Sequence, residues 1–147
     1  MSRLPGAVLY VCTLNKVRSP MGAGLTCKLY GEAMQVKSCG LEPSEDVDPM
    51  AAVVMGEIGV DLSAHQPESF DGVRLQDFDL IVALSPEAWE RVRTADADGG
   101  PEVDYWPVTD PTLGEGSREM RLDAYRETRR ELEARITGRF GPPPEWE

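Results

Sequence analysis

The chain is short of the residues that build cross-links and metal sites. It has three cysteines, Cys12, Cys27 and Cys39, and one histidine, His65. The cysteine number is odd and no spacing is C-x-x-C, which argues against a disulfide framework and against a zinc site. A reducing compartment fits that usage best. Long apolar runs are also missing, since nothing approaches the roughly 18 residues of a membrane span. The opening "MSRLPGAVLYV" carries one arginine and no small-residue cleavage site, so it reads as a first strand rather than a signal segment. A soluble cytoplasmic protein is expected. Positive charge is the third shortage: 15 basic residues stand against 26 acidic ones, for a net charge of −11. Such a surface repels nucleic acid and anionic lipid, so neither is expected as a partner. Any anion site must be built locally, against the field of the whole molecule.

What is present suits one core. The 147 residues are 41% hydrophobic, and no repeat or linker divides them. Apolar runs alternate with helical patterns, which predicts an α/β domain with a parallel sheet. The first strand is "AVLYV", 7–11. A helix follows, with Ser19 as its N-cap, Pro20 at its first position and Gly31 after its end. A short strand near "MQVKSC" comes next. A second helix opens at Asp48-Pro49, puts Met50, Val53, Val54 and Ile58 on its apolar face, and closes at Gly59. "FDLIVAL", 78–84, is the strongest strand signal and predicts a central strand covered on both faces. A third helix starts near Pro86, "VDYWPV" gives a fourth strand, and "TDPTLGEG" is a loop. The last helix starts near Ser117, with Leu122, Tyr125, Leu132, Ile136 and Phe140 in one stripe. One domain over 1–140 and a flexible tail over 141–147 are expected.

The chemistry concentrates in "VCTLNKVRSP", 11–20. In an open parallel sheet, ligands bind beyond the carboxyl ends of the strands, where Cys12 falls. A helix N-terminus then presents free N–H groups to an anion. Arg18 adds a planar fork of donors suited to two oxygens of a tetrahedral oxyanion. A field that favours an oxyanion also favours thiolate over thiol. Asn15, in mid-loop, tolerates the left-handed backbone of a tight anion-cradling turn. A lone cysteine at a strand end is otherwise a small buried hydrophobe, and it is the surrounding pattern that lifts Cys12 above that reading.

These residues resemble the phosphate-binding loop of the low-molecular-weight protein tyrosine phosphatases, C-x-G-N-x-x-R-S-P, whose fold is shared with thioredoxin-coupled arsenate reductases. "SCG" at 38–40, "DLSAH" at 61–65 and "TDPTLG" at 109–114 are similar to further family segments, in the same order. The resemblance implies a three-layer, flavodoxin- or Rossmann-like sandwich with a four-stranded parallel sheet. It implies a cysteine-dependent phosphate monoester hydrolase acting through a phosphocysteine. Cys12 would be the nucleophile, Arg18 the oxyanion ligand and Asp110 the acid, then the base. The substrate-binding loop would comprise Thr13, Leu14, Asn15, Lys16, Val17, Arg18 and Ser19. Asn15, Ser19, Ser38 and His65 would brace it, with Ser19 donating to the thiolate. No metal or other cofactor is implied. The expected partner is a phosphorylated protein or a small phosphomonoester, met by a monomer or weak dimer.

Asp48 and Asp110 both precede proline, but only Asp48 opens a periodic helix. Asp48 is therefore assigned to capping and Asp110 to catalysis. Cys27, inside the first helix, is assigned to packing. Tyr105 and Trp106 are assigned to the core, with one of them available to wall the pocket. Leu14 stands where the family has glycine, which restricts the backbone and puts an apolar side chain in the loop. Val17 replaces the second loop cysteine of many eukaryotic members. Thr112 and Leu113 replace the tyrosine pair that often gates aromatic substrates. Two alternatives stay open: arsenate reduction with an external thiol, and a non-catalytic anion- or phosphoprotein-binding module. The reductases coupled to thioredoxin carry a cysteine pair after the third strand, where this chain reads "ALSPEAWERV".

Overall fold

The computed structural model describes residues 4–95 and 100–144. Four parallel strands form one sheet: β1 (Ala7–Cys12), β2 (Gln35–Gly40), β3 (Leu80–Ala83) and β4 (Glu102–Tyr105), in the order β2-β1-β3-β4. Four helices connect and close them: α1 (Arg18–Tyr30), α2 (Pro49–Gly56), α3 (Pro86–Ala95) and α4 (Arg118–Phe140). The α/β class and the four-stranded parallel sheet are as the sequence predicts. β1 and β3 are apolar at every position because both of their faces are covered.

Alternation along β1 divides the core in two. Val8, Tyr10 and Cys12 face a cluster built with α1, α2 and α4, which includes Met21, Leu25, Val54, Leu132 and Ile136. Leu9 and Val11 face the opposite cluster, with Cys39, Phe70, Ile81 and the α3 residues Ala88 and Val92. Cys12 and Cys39 therefore lie on opposite faces of the sheet, although their strands are neighbours. The α4 stripe is observed in full: Leu122, Tyr125, Leu132, Ile136 and Phe140 are all buried.

Several local expectations are corrected. Ser19 is not the N-cap of α1. The helix starts at Arg18, Val17 holds the cap position, and no side chain caps it. Pro20 is thus third in the helix, not first. The Ser19 hydroxyl is drawn to the Cys12 sulfur instead of back to its own helix. In α2, Ala51, Val54 and Met55 are the buried positions, while Val53 is 41% exposed. An eight-residue helix is too short for its period to fix which face is inner. Gly59 lies beyond the end of α2, in a turn where its φ is +82°. Cys27 faces solvent and is not a packing residue. The Tyr30 hydroxyl donates to the Gly141 carbonyl, which ties down the start of the tail, and residues 145–147 lie outside the described residues. Asp48 caps α2 as expected, accepting from the Met50 and Ala51 N–H groups.

Candidate active site

β1 ends at Cys12 and the chain turns at once into α1, so residues 13–17 form a closed loop at the carboxyl edge of the sheet. Its carbonyls point outward. Those of Cys12, Thr13, Leu14 and Lys16 accept from the N–H groups of Leu41, Glu42, Ser44 and Asp48. The segment 41–48 thus tracks the loop and leaves the inner side to N–H groups. The turn needs one left-handed residue, and Asn15 supplies it with φ +52°. Leu14 has no such demand, so the leucine is carried without backbone strain, with its side chain 39% exposed at the rim.

Asn15 is fully buried and spends its polar groups on the loop. Its Nδ2 donates to Ser19 Oγ at 2.7 Å and to Ser38 Oγ at 3.0 Å, and its Oδ1 accepts from the Glu68 N–H at 2.9 Å. Its own N–H donates to Cys12 Sγ at 3.3 Å. Ser19 Oγ lies 2.9 Å from the same sulfur. Because Ser19 Oγ accepts from Asn15, its single proton is left for the sulfur or for the Cys39 carbonyl, 3.4 Å away. The nearer sulfur therefore sits among donors, the Asn15 N–H and the Ser19 hydroxyl.

Arg18 is pinned by the ends of other strands. Its Nη1 donates to the Val108 carbonyl at 3.2 Å and the Leu84 carbonyl at 3.4 Å. Its Nη2 lies 3.9 Å from Asp110 Oδ2. Asp110 caps a short 3₁₀ turn (Pro111–Leu113) through Oδ1, which accepts from the Thr112 N–H and hydroxyl. The other oxygen is left facing Arg18. Cys12, Thr13, Leu14, Lys16, Val17, Arg18, Glu87, Asp110 and Thr112 line one pocket of about 230 Å³. Two larger clefts lie away from the cysteine, along the β2 edge.

The sequence-predicted residues fall into two shells. Cys12, Arg18 and Asp110 meet in the pocket, while Asn15, Ser19 and Ser38 lie beneath it. His65 lines a neighbouring cleft with Ser38. Burial lowers its pKa below the usual 6.5, and a hydrogen bond with the Asn15 backbone works partly against this. Trp106 is buried in the core and packs edge-on to Tyr10, and Tyr105 stacks on Trp89, so neither walls the pocket.

Three contributors escaped the sequence reading. Gly40 is paired with Cys12 across the sheet. A Cβ there would stand 2.7 Å from the Asn15 nitrogen and 2.9 Å from the Leu14 carbonyl carbon, so only glycine lets β2 pass under the loop. Ser85, at the end of β3, bonds Thr13 Oγ1 at 3.1 Å and accepts from the Ala88 N–H. Glu87 puts a carboxylate on the pocket wall. The place of Ser85 just after the strongest strand in the chain is the one signal that could have marked it.

Fold and site together define a class: an α/β protein whose first strand delivers a cysteine into a tight loop with its carbonyls bonded outward, with an arginine and an aspartate opposite. The low molecular weight phosphotyrosine protein phosphatase family matches residues 7–140, and the chain belongs to that family. The chain is 34% identical to an arsenate reductase of Halalkalibacterium halodurans over 129 residues, covering 88% of this chain and 91% of that one. Among solved structures, an arsenate reductase from Archaeoglobus fulgidus is similar at TM-score 0.72 and 26% identity, over 91% of this chain and 98% of that one. A tyrosine phosphatase from Erwinia amylovora shares the fold at TM-score 0.73 and 21% identity, over 92% and 93%. The family is thus enzymatic and holds both chemistries. No helix among the described residues is long and apolar enough to cross a membrane.

Proposed function

We propose that this protein hydrolyses phosphate monoesters through a phosphocysteine on Cys12. The observation that carries the reading is the composition of the pocket: one sulfur, one guanidinium facing the Asp110 carboxylate, and a second carboxylate from Glu87, with no second cysteine among its lining residues. The Cys12 thiolate attacks phosphorus, forming an S–P bond as the ester P–O bond breaks. Asp110 gives its proton to the departing oxygen. Asp110, now ionised, takes a proton from water, whose oxygen attacks phosphorus and expels the thiolate. Inorganic phosphate leaves. Arg18, the loop N–H groups and the uncapped start of α1 hold the equatorial oxygens in both steps. Ser19 stabilises the thiolate before attack and as leaving group. Lys16 adds a cation at the rim. The missing tyrosine pair and the Leu14, Glu87 and Thr112 wall support a substrate less aromatic than phosphotyrosine.

The other two cysteines do not supply a redox partner. Burial, with nearby Cys12 and Glu68 adding to it, pushes the Cys39 thiol up to about 12, and it sits across the sheet. Cys27 lies nine residues into α1, roughly 13 Å along the helix from Arg18. Arsenate reduction is the second reading, favoured by the names of the relatives. It would need an outside thiol: Cys12 would take arsenate with loss of water, the outside thiol would attack the sulfur, and As(V) would leave as As(III) with the new disulfide as the oxidised product.

The deciding experiment gives purified protein p-nitrophenyl phosphate in one arm, and arsenate with glutathione or reduced thioredoxin in the other. Release of p-nitrophenol with no arsenite supports the hydrolase. Arsenite without phosphate-ester turnover overturns it in favour of the reductase. Turnover of neither leaves the anion-binding module.

A further inference from the structure

The proton donor sits on a loop, and what holds that loop is unusual in its completeness. Thr109, the residue before Asp110, is exposed, yet all three of its polar groups are bonded by two side chains of α4. The Thr109 N–H donates to Glu131 Oε2 at 3.0 Å, and its hydroxyl donates to Glu131 Oε1 at 3.1 Å. Its carbonyl accepts from the buried Thr128 hydroxyl at 3.1 Å. A loop that only needed anchoring could be held by packing, which fixes position but not the rotation of a peptide plane. Bonding both the N–H and the C=O of one residue fixes the planes on either side of it, and with them the direction in which the next Cα–Cβ bond leaves.

The same helix also reaches the cysteine loop through one intermediary, Asp48. One turn before Thr128, Tyr125 donates to Asp48 Oδ2 at 2.9 Å, and the Asp48 N–H holds the Lys16 carbonyl at 2.9 Å. Positions 125, 128 and 131 follow one another at three-residue spacing along α4. A single rigid rod therefore refers both loops to one frame.

We propose that Glu131 and Thr128 are positioning residues for proton delivery: they set the angle at which Asp110 meets the leaving oxygen above Cys12. This rests on the reading of Asp110 as the acid. Neither residue touches the substrate, so their effect shows only in the steps that need the proton.

The test is a series of aryl phosphates from dinitrophenyl to unsubstituted phenyl, with kcat/KM plotted against leaving-group pKa. The unsubstituted protein should be nearly insensitive to the leaving group, and Asp110→Asn steeply sensitive. Glu131→Ala should fall between them, losing roughly tenfold on phenyl phosphate and less than about twofold on the dinitrophenyl ester. Glu131→Gln, which keeps one acceptor oxygen, should recover part of the loss. Adding Glu131→Ala to Asp110→Asn should cost nothing more, because the acid it aims is already gone. A uniform loss across the series, an unchanged slope in Glu131→Ala, or additive losses in the double variant overturns the clamp. A flat Asp110→Asn line overturns the assignment of the acid itself and the clamp with it. That arm carries no change at Glu131, so the two failures are told apart.

Discussion

The two loops that meet over Cys12 are built on opposite plans. The cysteine loop is closed on itself: Asn15 and Ser19 have no exposure, and four of the loop's carbonyls are bonded to 41–48. The aspartate loop is open. The Asp110 side chain is 32% exposed, Leu113 is 78% exposed, and the hydrogen bonds that hold Thr109 come from one side, on α4. The difference follows from the work proposed for each. An oxyanion cradle must exist before the substrate arrives, since reorganising dipoles during the reaction costs what they were meant to supply. A proton donor that later becomes a base must meet solvent water between its two tasks.

The comparison is broken most severely at its centre. Cys12→Ser should lower phosphate-ester hydrolysis about 10⁴-fold or more. Its circular dichroism and melting temperature should stay near those of the parent, since a hydroxyl fits where the thiol did; retained turnover would place the nucleophile elsewhere. On the open side, Asp110→Asn should slow phenyl phosphate about 10²- to 10⁴-fold with little change in stability. A melting temperature lowered by more than a few degrees would mean that the aspartate is holding the fold. Gly40→Ala tests the closed loop from beneath. The added methyl pushes on the Asn15 backbone, so activity should fall about 10²-fold and stability by about 1–3 kcal/mol, read by urea titration with the same ester assay. An alanine variant of full activity would show that the cradle gives way at no cost.

The smallest effect is that of pH on His65. Its folded pKa lies below the unfolded 6.5, so on acidification the unfolded chain binds the proton first. Stability should decline as pH falls from 6.5 through the folded value and stay level below it. The difference in melting temperature between the parent and His65→Gln, followed from pH 7.5 to 5, isolates this from the carboxylates. A difference independent of pH would remove His65 from the support of Asn15.

The loop was legible because its chemistry is local. Cys12, Asn15, Arg18 and Ser19 lie within eight residues, and the strand before and helix after them follow from periodicity. The place of Asp110 beside the cysteine pocket was legible only through the order of motifs, since Asp110 is 98 positions from Cys12 and no spacing rule joins them. Gly40 and Ser85 were not, because each matters for what the sheet order places beside it, and Glu131 was not, because its partner Thr109 lies 22 residues earlier in a loop. Ser19 shows the reverse failure. Ser-Pro reads as a helix start two residues later than the helix begins, because a nearby sulfur competes for the Ser19 hydroxyl. Val53 failed for want of length, in a helix of only two turns.

Arg18 leans on carbonyls at positions 84 and 108, the first 66 residues away and the second 90. A ribosome therefore makes the cysteine loop long before it makes the rest that steadies its cation. Until the fourth strand has emerged and docked, a growing chain carries the thiol without the aligned charge opposite it. The support of the Arg18 guanidinium is therefore complete only after the last strand of the sheet, so a chain cut before Val108 would hold the loop signature without that support.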